Sequence, residues 1–181
     1  HTRYWRDWSS DVCSSDLVDL QTFVTSPNYL GLPPLSDYQY TLIEKGSQIY
    51  KESTLIKLFG EEEGRRRFKQ TCTEVIAQLG KGSGKDYTST ISVSYMVYLL
   101  LCLKDPAIYY GKPPGDTIDI INIAVNAQQA NNVFFKGFKT RIERSPWFTG
   151  KYDPKTSEIR FDKNINVYSG HSEREAFEGY N

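Results

Sequence analysis

The spacing of apolar side chains predicts helices and strands in turn along most of the chain. Helical spacing follows the capping pair Ser36-Asp37 and recurs near residues 53–59, at about 87–104 and at about 127–144. Short, mostly apolar runs typical of strands occupy residues 73–79, 117–125, 158–161 and 165–168. Because strands alternate with helices, we expect an α/β fold with a mostly parallel sheet and helices on both of its faces.

Three other segments lack a clear apolar period. Residues 18–35 contain Pro27, Pro33 and Pro34, which predicts a loose lead-in. The charged residues 61–67 predict a solvated, loop-like hinge. For their three arginines, exposure to solvent is a better interpretation than contact with nucleic acid. In the helix at 127–144, a solvated face is favoured over a DNA-facing one for four basic residues: Lys136, Lys139, Arg141 and Arg144.

Residues 80–85 read Gly-Lys-Gly-Ser-Gly-Lys and join the first predicted strand to a helix. Glycines allow positive φ and let phosphate oxygens approach the backbone, whose N–H groups then form an anion-binding concavity with the helix N-terminus. The final lysine supplies a mobile charge for the β- and γ-phosphates. The context favours a nucleotide site over an empty Gly/Ser turn, and its residues are Gly80, Lys81, Gly82, Ser83, Gly84, Lys85, Asp86 and Tyr87.

Two positions depart from the usual phosphate-loop pattern. Leu79 stands where that pattern has a glycine, and Asp86 stands where it has the Ser or Thr that binds Mg²⁺. The Asp86 carboxylate can hold Mg²⁺ directly or through water, but it would repel the phosphates if the metal were missing. We therefore expect a nucleotide and Mg²⁺ as cofactors, with nucleotide binding that depends strongly on Mg²⁺.

Composition sets limits on partners and location. The 181 residues include 22 Lys+Arg and 22 Asp+Glu, so there is no global basic footprint for nucleic acid. Cys13, Cys72 and Cys102 are not in metal-ligand spacing and fit a reduced, cytosolic setting. The longest apolar run, residues 91–103, is too short to cross a bilayer, so no membrane partner is expected.

The first residues look foreign to the rest of the chain. Residues 7–17 have neither helical nor strand periodicity, and they resemble the translation of a short-read sequencing adapter. The predicted organisation is therefore a non-native segment at 1–17, a helical lead-in at 18–70 and the first half of a P-loop ATPase domain at 71–181.

Taken together, the motifs resemble the ATPase half of the large terminase subunit of tailed bacteriophages, over residues 33–181. Four segments in the same order carry the resemblance. The first two are Pro-Pro-Leu-Ser-Asp-Tyr-Gln at 33–39 and the glycine loop Leu-Gly-Lys-Gly-Ser-Gly-Lys-Asp-Tyr at 79–87. The third is Asn-Ala-Gln-Gln-Ala at 126–130 with Ser-Pro-Trp-Phe at 145–148, and the fourth runs from Tyr-Ser-Gly-His-Ser-Glu at 168–173 through Glu-Gly-Tyr-Asn at 178–181.

The resemblance implies roles for individual residues. Lys85 matches the family's phosphate lysine, and Gln39 matches an upstream glutamine expected near adenine, whose amide can pair with N7 and N6. Lys81 falls where many terminases have an arginine that stabilises charge on the γ-phosphate. Lysine keeps that charge but lacks the bidentate fork.

The resemblance also implies a motor that packages double-stranded DNA in the cytoplasm of an infected bacterium. Such a subunit forms a homo-oligomeric ring and works with the portal protein, the small terminase subunit and its own endonuclease domain. In this family the strand with the catalytic Asp and Glu follows directly after Asn181. We therefore expect this chain to bind ATP without efficient hydrolysis, and to show open strand edges and poor solubility.

Other functions fit parts of the pattern. The chain could belong to a helicase-like P-loop ATPase, a small-molecule kinase or a nucleotide-binding module without turnover. His171, with Ser172, Glu173 and Glu175, invites a hydrolase interpretation, but no nucleophile-elbow pattern accompanies these residues.

Overall fold

The computed structural model describes residues 17–124 and 130–171. Its helices are α1 (Leu20–Thr25), α2 (Asp37–Gly46), α3 (Glu52–Phe59), α4 (Glu61–Gln70), α5 (Lys85–Cys102), α6 (Pro106–Tyr109) and α7 (Lys136–Arg144). A π-helical segment, Ala130–Phe135, leads directly into α7. The strands are β1 (Ile118–Ala124), β2 (Tyr152–Pro154), β3 (Glu158–Phe161) and β4 (Ile165–His171).

The four strands form one mixed sheet in the order β1-β4-β3-β2. β1 pairs with β4 in parallel, whereas β3 pairs antiparallel with both β4 and β2. The α/β class is confirmed, but the sheet is mixed rather than mostly parallel. The sheet is mixed because the predicted hairpin of β3 and β4 is antiparallel and because β2 adds a second antiparallel pair. The sequence pattern did not predict β2, which is only three residues long.

The described helices cover one face of this sheet. On that face Ile159, Phe161, Ile165 and Val167 are buried in the core, in which α5, α7 and the π-helical segment also take part. Successive strand residues point to opposite faces, and Ile123 in β1 is 57% exposed on the other side. Within the described residues, the prediction of helices on both faces is therefore wrong.

Helix α5 is the centre of the fold, and α1 packs against it. Tyr98 of α5 is fully buried, with its ring centroid 4.7 Å from that of Phe23 and 4.8 Å from that of Trp147. The Val18 N–H donates to the Tyr98 hydroxyl over 2.6 Å. The segment at residues 18–35 is therefore not the loose lead-in that was predicted, because Phe23 of α1 belongs to the main hydrophobic core.

Residues 61–67 form a helix, not the predicted loop-like hinge. Helix α4 is held by ion pairs one turn apart, from Arg65 to Glu61 at 3.0 Å and from Arg66 and Arg67 to Glu63 at 2.6 and 2.7 Å. Such pairs support a helix at i,i+3 and i,i+4 spacing. Gly64 lets α3 approach closely, since an added Cβ would lie 2.4 Å from the Ile56 backbone.

The segment at residues 73–79 is not a strand, contrary to the sequence prediction. It runs as exposed, irregular chain beside α2, with the Cys72 N–H bonded to the Lys45 carbonyl at 3.1 Å and Ile76 87% exposed. None of the described strands pairs with it. A strand needs a ladder partner, and an apolar run does not supply one by itself.

The remaining helix and strand predictions are confirmed within a few residues. The helix after the glycine loop begins at Lys85 and ends at Cys102. The strand predicted at 117–125 covers Ile118–Ala124, but it is not buried on both faces as predicted, since Ile121 and Ile123 are exposed. Asn126 and residues 127–129 lie outside the described part, as do residues 1–16 and 172–181. His171 ends β4, and the Ser172, Glu173 and Glu175 cluster lies outside the described residues.

Candidate nucleotide-binding site

The glycine loop makes the turn that the sequence predicts. Gly82 has φ 81° and Gly84 has φ 75°, both in the left-handed region that favours glycine. The Ser83 N–H donates to the Gly80 carbonyl over 3.3 Å, which closes the turn. Gly84 is the N-cap of α5, so the loop delivers the chain directly into the first helical turn.

The charged residues of the loop lie where anions are favoured. Lys85 is the first residue of α5, and Lys81, Lys85 and Asp86 are all exposed. The first N–H groups of a helix have no intrahelical acceptor, and they carry the positive end of the helix dipole. Lys85 therefore adds a mobile positive charge at the end of the helix that already attracts phosphate.

Gln39 is brought against the same loop by helix α2. Ser36 caps α2, and its N–H and hydroxyl contact the Gln39 Oε1 at 3.1 Å in a capping box. The Gln39 Nε2 donates to the Thr88 hydroxyl over 3.2 Å, and an added Cβ on Gly84 would lie 3.4 Å from that Nε2. The structure thus joins two sequence-predicted residues, Gln39 and Gly84, across separate elements.

A pocket of about 380 Å³ opens beside Lys85. One wall is apolar and comes from α2 and the irregular segment, through Leu42, Ile43 and Val75. The opposite wall is polar and comes from α5, through Lys85 and Asp86 followed by Thr88, Ser89 and Ser92. This volume lies in the usual range of small-molecule sites, roughly 300–1,000 Å³, and the mixture of walls suits a ligand with an apolar ring and charged groups.

Asp86 is the residue that could hold a metal ion. Among the described residues, no group of three or more His, Cys, Asp or Glu side chains could do so without help. Mg²⁺, however, is commonly bound through one or two carboxylates together with substrate phosphates and water. An exposed carboxylate in the first turn after the glycine loop fits that mode, so the site suits Mg²⁺ only together with a nucleotide.

Sequence reasoning missed two residues that hold the loop helix in place. Thr88 accepts the bond from Gln39 and donates its own hydroxyl proton to the Gly84 carbonyl over 3.0 Å. Arg141, predicted only as part of a solvated face, is half-buried, and its guanidinium carbon lies 4.6 Å from the centroid of the Tyr87 ring. The position of Thr88, three residues after Lys85, could have indicated its contact with the loop. Nothing in the sequence indicated the contact of Arg141 with Tyr87.

No helix in the described part of the chain is long and apolar enough to cross a membrane. Lys136, Lys139 and Arg144 lie on α7 away from the core, as predicted, and Lys139 pairs with Glu143 at 3.9 Å. They do not contribute to the glycine loop.

Comparison with known proteins agrees with this geometry. A family described as "Uncharacterized protein MJ0330, N-terminal P-loop domain" matches residues 3–181. The uncharacterized protein MJ0330 of Methanocaldococcus jannaschii is 33% identical over 114 residues, which cover 57% of this chain and 20% of that protein. The chain therefore spans about one fifth of that relative's length. No solved structure matches the chain.

These matches confirm the P-loop prediction at the level of the family, and they name neither a phage nor DNA packaging. The match starts at residue 3, inside the segment 1–17 whose adapter origin stays a prediction. Since the family covers nearly the whole chain, this chain belongs to the family of N-terminal P-loop domains described for MJ0330.

Proposed function

We propose that this chain is the ATP-binding part of a DNA-packaging motor of the terminase large-subunit type. The observation that carries the proposal is the left-handed glycine pair that delivers Lys85 into the first turn of α5. Around it stand the upstream Gln39 and the unusual Asp86, the features through which the sequence resembles phage terminases.

Each residue has a part in ATP binding. The loop amides and the N-terminus of α5 bind the phosphate oxygens, and Lys85 neutralises the β- and γ-phosphates. Lys81 lies on the exposed side of the loop and adds a second charge near the γ-phosphate. Gln39 orients the adenine, and its anchor on Thr88 ties that recognition to the loop helix.

Asp86 places a carboxylate beside the phosphates and would hold Mg²⁺ there. The bound ion supplies neutralisation of the phosphate charge. Because Asp86 is the one acidic side chain among the described residues that line the pocket beside Lys85, we propose that this chain alone binds ATP without efficient hydrolysis. The water-activating carboxylate would come from another part of the protein, as would the endonuclease activity.

In the whole protein, ATP hydrolysis would be coupled to movement of double-stranded DNA. The proposed setting is a homo-oligomeric ring in the cytoplasm of an infected bacterium, with a portal protein and a small terminase subunit as partners. The charge balance of 22 Lys+Arg and 22 Asp+Glu means that DNA contact would depend on a local patch or on other parts of the protein.

The experiment uses the longer protein that carries this chain, with Lys85→Ala as its inactive control. Phosphate release is measured with no DNA, with linear double-stranded DNA and with single-stranded DNA. The motor predicts hydrolysis that double-stranded DNA stimulates and that Lys85→Ala abolishes. Hydrolysis stimulated only by single strands supports a helicase-like ATPase instead, and phosphate transfer to a small acceptor supports a kinase.

A further inference from the structure

Arg141 turns its guanidinium toward the phosphate-loop helix rather than toward solvent. Its Nε donates to the Thr90 hydroxyl over 2.8 Å, and its guanidinium carbon lies 4.6 Å from the centre of the Tyr87 ring. The side chain is half-buried, and none of the ion pairs found among the described residues includes it. Arg141 is therefore a partly desolvated cation with a hydroxyl and a ring as its partners.

This arrangement is costly unless an anion lies nearby. Removing a charged group from water carries a penalty that a carboxylate usually offsets, and burial here lowers the pKa of the Arg141 guanidinium. The group nevertheless stays protonated, as arginine does in proteins. Its contacts, Tyr87 and Thr90, lie in the first two turns of α5, and the N-terminus of that helix carries a partial positive charge that disfavours a further cation nearby when no anion is bound.

The contacts of Arg141 are near the glycine loop. Tyr87 and Thr90 follow Lys85 by two and five residues, about 3 and 8 Å along the helix axis. These offsets along the helix axis are within the Debye length of roughly 10 Å in 0.1 M salt. Phosphates bound at the start of α5 would thus be counter-ions for Arg141 without touching it.

The first turns of α5 are held from two sides. Gln39 of α2 bonds to Thr88 over 3.2 Å, and Arg141 of α7 bonds to Thr90 over 2.8 Å. Thr90 in turn donates to the Tyr87 carbonyl over 2.9 Å, so the bond from α7 reaches the backbone of the first helical turn. A shift of α7 would therefore move the N–H groups that face the glycine loop.

We propose that Arg141 is a positioning residue that couples phosphate binding at the glycine loop to helix α7. The inference rests on the proposed nucleotide binding. An anion at the loop relieves the repulsion around Arg141, so the contact between α5 and α7 becomes firmer. By thermodynamic linkage, if the nucleotide stabilises this contact, then the contact raises the affinity for the nucleotide by the same free energy.

The test compares Arg141→Gln, Arg141→Lys and Thr90→Val with Arg144→Gln, which removes an exposed charge from the same helix. Calorimetry measures the Kd for ATP with Mg²⁺, and amide hydrogen exchange measures the protection of α7 with and without nucleotide. Arg141→Gln should bind about threefold to tenfold more weakly, a range typical of one coupled contact. Arg141→Lys should recover part of the loss because it keeps the charge.

The exchange measurement separates positioning from simple stabilisation. In the wild-type chain and in Arg144→Gln, nucleotide should raise the protection of α7, and in Arg141→Gln this rise should be lost. Unchanged affinity together with a retained rise in protection would overturn the inference, as would a lower melting temperature with unchanged affinity. Thr90→Val provides the same comparison if Arg141→Gln does not fold. A wild-type chain that binds no ATP contradicts the proposed function instead.

Discussion

The side-chain amide of Gln39 donates to the hydroxyl of Thr88, with 3.2 Å between Nε2 and Oγ1. This bond joins the first turn of α2 to the first turn of the phosphate-loop helix, through two residues that are 49 positions apart in the chain. A residue expected to recognise adenine is therefore also a structural neighbour of the loop that would bind the phosphates.

Replacing Gln39 by alanine should weaken ATP binding. The variant loses the bond to Thr88, and one such hydrogen bond contributes about 0.5–1.5 kcal/mol, or about twofold to tenfold in Kd. Ser36→Ala is the matched control, because it removes the other half of the capping box but keeps Nε2 on Thr88. Titration calorimetry should show weaker binding in Gln39→Ala alone; equal losses in both variants would mean that only the helix cap matters.

The Asp86 carboxylate should make ATP binding depend on Mg²⁺. Without the ion, a negative side chain in the first turn of α5 repels the phosphates, and two charges about 4 Å apart near a surface interact by several kcal/mol at most. We expect the wild-type Kd to rise at least tenfold when EDTA replaces Mg²⁺. Asp86→Asn should bind ATP better than wild type in EDTA and should respond less to Mg²⁺. Equal wild-type affinities in the two buffers would contradict this role.

Gly64→Ala should destabilise the fold even though alanine is the better helix former. An added Cβ would lie 2.4 Å from the Ile56 backbone, so α3 and α4 must separate, which costs about 1–3 kcal/mol. Gly137→Ala in α7 is the control, since its Cβ would meet Thr90 at an ordinary 3.6 Å and gain up to about 1 kcal/mol of helix propensity. Urea unfolding should therefore move in opposite directions for the two variants.

The exposed side of β1 should limit solubility. β1 is an edge of the described sheet, and Ile123 is 57% exposed on its uncovered face. A lysine on an edge strand opposes pairing between molecules. We expect Ile123→Lys to lower light scattering at high concentration with little change in stability, whereas Ile120→Lys, which points toward the core, should unfold the chain. Equal scattering by Ile123→Lys and wild type would show that association occurs elsewhere.

The sequence predicted best what depends on local chemistry. Ser36 caps α2 as its position before the helical run predicts, and Gly84 takes the left-handed conformation required at the start of α5. Predictions that depend on distant partners were less successful. Residues 73–79 have the apolar run of a strand but no ladder partner among the described strands.

The residues of the candidate site show the same difference between local and distant partners. Lys85 and Asp86 could be assigned from the loop pattern, because their places in it are set by neighbours in sequence. Arg141 could not, since its role depends on α7 lying against Thr90 and Tyr87, and the sequence of a basic helix does not say which charge points inward.

The loop ending in Lys85 is proposed to bind the phosphates of ATP. The most direct measurement is titration of the 181-residue chain with ATP in Mg²⁺, using wild type, Lys85→Ala and Lys139→Ala, a lysine of α7 that contributes nothing to the loop. Wild type and Lys139→Ala should bind ATP, and a folded Lys85→Ala variant should lose at least tenfold in affinity. Equal ATP binding by all three proteins, or no binding by folded wild type, would contradict it.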